Sequence, residues 1–222
     1  MPGIHGSVLV RLQLPGLNTY IMIVDNFKLI RDYLTFNNQD EFYFLQVLIR
    51  GKDGHTEQGV NGNNKNRVIK IYTIRSKEEL DKVEPDIKKL CSVFNARAYI
   101  HPTKRSFKDT AVETLKVFSD LFSSENFESM KRLYATACGK SYIHKDKKFI
   151  VDIDNKEDIE QYIGCINFEC KPDESNKVEL VIPTVSGFHL ICKPFDTSCF
   201  LKRFNNIDIH KNNPTLLYYE KN

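Results

Sequence analysis

A chain of 222 residues that is 41% apolar and 27% charged can build its own core and is not disordered by composition. Its 32 Lys and Arg against 29 Asp and Glu leave a net charge of +3, too mild to mark a nucleic-acid binder alone, so any basic surface must be local. No apolar run approaches the roughly 18 residues of a membrane span.

In chain order, Met1 to Ile21 carries Arg11 and Gln13 inside its apolar stretch, and no small-residue cleavage site follows. It reads as a non-native leader ahead of Met22 or as a short ordered arm. Ile23 to Phe36 has helical spacing and predicts a helix. Phe42 to Ile49 predicts a strand, followed by a Gly/Asn-rich, partly basic loop that includes Arg50 and Lys52. Arg67 to Ile74 then completes a hairpin. Ser76 with Glu79 three residues later is a capping box that opens a helix to about Leu90. Ala96 to His101 predicts a strand ending in the basic turn Pro102-Thr103-Lys104-Arg105, and helices follow at Phe107 to Phe122 and Glu125 to Thr136.

The second half predicts a strand at Lys148 to Ile153, a helix at Lys156 to Ile163, strands at Val178 to Ile182 and Gly187 to Lys193, and a helix at Thr197 to Phe204. Extended segments follow at Ile207 to His210 and Thr215 to Tyr219, the latter read as the last strand of the same sheet. The order β-α-β-β-α-β packs as one sheet with both helices on one face and the other face open for ligands. The expected class is therefore α+β, with an RRM-like or ferredoxin-like unit over residues 146–222 joined to an N-terminal α/β unit over 22–145.

The six cysteines contain no Cys-x-x-Cys pair, so reduced thiols in a cytosolic protein are favoured over a zinc site; Cys138 with His144 is a weak metal pairing. Oxygen ligands are a stronger signal. In Phe149-Ile150-Val151-Asp152-Ile153-Asp154 the strand period puts Phe149, Val151 and Ile153 toward the helices and both aspartates on the other face. Neighbouring carboxylates repel unless a cation compensates, which suggests Mg²⁺ or Mn²⁺; a strand end with an Asx cap is the plainer alternative. His189 and Lys193 share one face of the next strand and suit a triphosphate, although a lone strand His is more often structural. Ser186-Gly187 precedes them, and Gly allows close approach of backbone to phosphate. Asp208 alternates with Ile207 and Ile209. Together Asp152, Asp154, His189 and Asp208 match the needs of two-metal nucleotidyl transfer.

These segments resemble, in order, the motifs of the archaeo-eukaryotic primase superfamily. The strand ending in Asp152-Ile153-Asp154, the segment Ser186-Gly187-Phe188-His189-Leu190-Ile191 and the segment Ile207-Asp208-Ile209 are similar to its three motifs. Asn95-Ala96-Arg97-Ala98-Tyr99-Ile100 resembles a nucleotide-side strand of phage and bacterial members. The resemblance covers roughly the last third of the chain and implies a primase or primase-polymerase using NTPs or dNTPs on single-stranded DNA, in the cytoplasm of a bacterium or phage-infected cell. It implies that Asp152, Asp154 and Asp208 hold Mg²⁺ or Mn²⁺ and that His189, with Ser186, meets the nucleotide phosphates. Lys193, Arg105, Arg50 and Lys52 are phosphate or template contacts by charge and position. No zinc element or helicase domain is visible, so a helicase or priming accessory protein is an implied partner. A non-catalytic RRM-like binding module and a metal-dependent nuclease are the competing readings.

Overall fold

The computed structural model describes residues 22–51, 66–154 and 159–221. The segment Met1 to Ile21, Lys52 and residues 156–158 of the anticipated short helix lie outside the described residues. The architecture is α+β, with two antiparallel sheets and helices packed on them.

The first sheet contains β1 (Met22–Asp25), β2 (Glu41–Ile49), β3 (Arg67–Ile74), β4 (Arg97–Ile100) and β10 (Thr215–Lys221) in the order β1-β10-β4-β2-β3, with the short β5 (Arg105–Ser106) beside β2. The anticipated hairpin is present, its register running from Tyr43 opposite Ile74 to Ile49 opposite Arg67. The anticipated capping box is present too. It opens α2 (Lys77–Phe94), where the Ser76 side chain accepts from the Glu79 amide. The Glu79 carboxylate turns back to the Arg75 amide at 2.8 Å.

The helix expected over Ile23 to Phe36 is a strand and a shorter helix, β1 followed by α1 (Phe27–Tyr33). The cause is remote. β1 pairs with β10, Met22 opposite Lys221, so the ladder that fixes it comes from the far end of the chain. Asn26, wholly buried, secures the junction by donating from Nδ2 to the carbonyls of Pro183 and Leu216 at 2.9 Å each. The helix expected at Phe107 to Phe122 is α3 (Phe107–Ser123). The next one divides into a 3₁₀ segment, Phe127–Arg132, and α4 (Leu133–Lys140).

The second sheet contains β6 (Phe149–Ile153), β7 (Val178–Pro183), β8 (Phe188–Cys192) and β9 (Asp208–His210) in the order β7-β8-β6-β9. Helices α5 (Ile159–Gly164), continued by a π turn over Cys165–Glu169, and α6 (Thr197–Arg203) join its strands. Phe149, Val151 and Ile153 of β6 form one core with Leu190 and Cys192 of β8, Tyr162 of α5 and Phe200 of α6, as the alternation predicts.

Two expectations about this sheet are corrected. Its other face is not left open: Ile182 and Ile191 are wholly buried in the same core as Leu45, Val47, Ile100 and Leu217 of the first sheet. The segment from Thr215 does not extend this sheet but returns as β10 between β1 and β4. Burial on both faces explains the preponderance of apolar residues in Thr215-Leu216-Leu217-Tyr218-Tyr219, all of them buried. Among the described residues no helix is long and apolar enough to cross a membrane.

Candidate functional site

The register of the second sheet assembles the site. Asp152 in β6 is directly opposite His189 in β8 on one side and Asp208 in β9 on the other. Directly opposed residues on antiparallel strands share a face, so the three form a row across adjacent strands. His210, opposite Ile150, lies on the same face two residues beyond Asp208.

His189 Nε2 is 3.3 Å from Asp152 Oδ1, and its Nδ1 is 2.9 Å from the hydroxyl of Thr215, a wholly buried residue of β10. The imidazole is thus held at both nitrogens, by a strand from each sheet. With Nε2–H turned to the carboxylate, Nδ1 accepts from the Thr215 hydroxyl. The hydrogen bond from His189 holds Asp152 below the usual carboxylate range against the opposing effect of burial, and the charges of His210 and Arg50 act in the same sense. Asp152 is therefore a carboxylate at neutral pH.

Asp154 lies just past the end of β6, exposed, and accepts from Ser186 Oγ at 2.7 Å. The role of Gly187 differs from the one expected. A Cβ there would stand 1.8 Å from the Ile153 carbonyl oxygen. The missing side chain therefore lets the start of β8 close onto the end of β6, and this brings Ser186 to Asp154.

One of the expected phosphate contacts is corrected. Arg105 is wholly buried, and its guanidinium donates to the carbonyls of Cys138 (2.9 Å) and Thr103 (2.5 Å), to His101 Nδ1 (3.0 Å) and to Asn212 Oδ1 (3.1 Å). Those bonds use four of its five N–H donors inside the protein, so it ties segments together. Lys193 follows the far end of β8, roughly 13 Å along the strand from His189. Its Nζ is 3.6 Å from Glu174. Cys138 is buried with Phe42 and Phe44, and the His144 ring packs on Tyr142.

Thr215 and His210 are functional-site neighbours that the sequence reading missed. His210 was legible, because it continues the alternation that sets Asp208 apart from Ile207 and Ile209. Thr215 carries no local signal, since it reaches His189 from the other sheet. Among the described residues no three of His, Cys, Asp and Glu converge as a ready-made metal cage. Searches against family models, curated proteins and solved structures returned no match for this chain.

Proposed function

We propose that this chain is a metal-dependent nucleotidyltransferase of the primase or primase-polymerase type, extending or initiating strands on a single-stranded DNA template from NTPs or dNTPs. The observation that carries the reading is the row His189–Asp152–Asp208 set by the β8-β6-β9 register. Two features support it. The strand order β7-β8-β6-β9 is the second-third-first-fourth order of an RRM-like β-α-β-β-α-β unit. The three motifs also occur in the order of the archaeo-eukaryotic primase superfamily.

The donor set fits a hard divalent cation. Mg²⁺ is commonly held by one or two carboxylates together with substrate phosphates and water, without an all-protein cage. Asp152 and Asp208 supply such carboxylates, and Asp154, just past the end of β6, is held by Ser186. Bound there, Mg²⁺ or Mn²⁺ would neutralise triphosphate charge and make the attacking hydroxyl more acidic. The chain's own groups do the rest. Asp152 stays ionised, and His189, oriented through Thr215, holds its Oδ1 in place through Nε2. Arg50, near enough to act on Asp152, adds positive charge for the phosphates. Ser186 positions Asp154 through their hydrogen bond.

A binding-only sheet of this type recognises bases with exposed aromatic rings on its free face. The face here carries acids and a histidine, with Ile182 and Ile191 packed beneath the first sheet. Nucleotidyl transfer is therefore favoured over a binding module. A helicase or priming accessory protein is the partner this function calls for.

The test is incorporation of labelled nucleotide on single-stranded DNA, with and without a primer, in Mg²⁺ and in Mn²⁺. The wild type is expected to form metal-dependent product. Asp152→Asn is expected to lose roughly 10²–10³-fold in rate while its circular dichroism is unchanged. Equal synthesis by Asp152→Asn, or no product under any condition, would reject the assignment. Degradation of the template in place of extension would reassign the same carboxylates to a nuclease.

A further inference from the structure

α3 buries one face and exposes another that is unusually apolar. Thr110 and Val117 point into the protein, while Leu115 is 71% exposed, Phe118 46% and Phe122 60%. Phe118 stacks on Phe122 at 6.1 Å, and Phe122 meets Phe127, itself 58% exposed, edge-on at 6.2 Å. The rings thus form one continuous patch on the surface.

The spacing within this face is ordered. Ala111, Leu115, Phe118 and Phe122 follow one another at intervals of four, three and four, the seam of a helix that packs along another helix. α3 ends at Ser123, and Glu125 beyond it has a left-handed φ of 55°, so the seam consists of these four positions. Antiparallel alignment with an identical helix matches each of them. Ala111 meets Phe122 and Leu115 meets Phe118, each pair occurring twice about a two-fold axis. A small residue then faces a large one, and the helix dipoles oppose.

We propose that α3 pairs antiparallel with α3 of a second copy of this chain to form a two-fold dimer. The area agrees. At the exposures above, and with roughly 150–250 Å² for each aromatic side chain, the patch offers on the order of 500 Å² of apolar surface per copy. An interface of about 800 Å² per partner, about 65% apolar, requires the same amount.

Sedimentation equilibrium of the full chain over a wide concentration range tests this. The wild type is expected to be a monomer–dimer equilibrium with a two-copy limit. Phe118→Glu is expected to raise the dissociation constant roughly thirtyfold or more, with unchanged circular dichroism because the side chain lies on the solvent-facing side of α3, 46% exposed. Leu115→Glu, at the position that pairs with Phe118, is expected to weaken the dimer by a similar factor. A monomer at every concentration, or a dimer indifferent to Phe118→Glu and Leu115→Glu, would overturn the proposal. The first of these outcomes would leave the patch to a different protein.

Discussion

Gly187 shows how a single residue can be identified correctly and its purpose misjudged. In sequence, Ser-Gly before a histidine suggests room for a phosphate. In the fold, the Ile153 carbonyl occupies the place where a Cβ would stand. The obstacle is backbone, which cannot swing aside as a side chain can. Gly187→Ala is therefore expected to lower stability by about 1–3 kcal/mol through overpacking, read as a lower urea midpoint. It is also expected to reduce nucleotide incorporation by parting Ser186 from Asp154. A midpoint equal to that of the wild type would mean that the two strand ends can separate without cost. Arg105 teaches the reverse lesson. A basic residue in a basic turn resembles a surface contact until burial is known, and burial depends on where Cys138 and Asn212 arrive from.

Among the elements, those whose partners are close in sequence were legible and those with distant partners were not. The β2–β3 hairpin and the start of α2 are specified by their own neighbourhoods, and both lie where the pattern puts them. Ser76→Ala should remove the bond to the Glu79 amide and cost about 1 kcal/mol, measurable by urea unfolding; an unshifted midpoint would show that Glu79 and Arg75 alone hold that helix end. β1 and β10 are the counterexample. Met22-Ile23-Val24 fits a helix or a strand locally, and only the Met22–Lys221 register decides. The site divides in the same way. Asp152, His189 and Asp208 were legible because the period of a strand fixes which face each residue takes. The Thr215 contribution was not, because no period runs from one sheet to another.

For the molecule as a whole, the buried network around Arg105 makes stability depend on pH. Burial, with the adjacent Arg105 charge, holds His101 well below the ordinary histidine value of 6.5. The folded protein therefore keeps His101 neutral where the unfolded chain takes up a proton. The unfolded state binds more protons below about pH 6.5, so stability falls as pH drops through that value. Unfolding by urea should have a lower midpoint at pH 5.5 than at 7.5, above the range in which ordinary carboxylates titrate. His101→Asn, which can still offer Arg105 an acceptor, should flatten that difference. A wild-type midpoint that is level over this interval, or a slope that survives in the variant, would exclude His101 as its source. The position of β10 has a further consequence during synthesis. β1 is among the first described segments to leave the ribosome, yet the strand it pairs with is among the last. Until then its ladder groups lack their native partner, and the gap between β1 and β4 stays unfilled. The first sheet therefore closes only after every segment between β1 and β10, the whole second sheet among them, has been made, and the hydroxyl that orients His189 arrives with that closing strand.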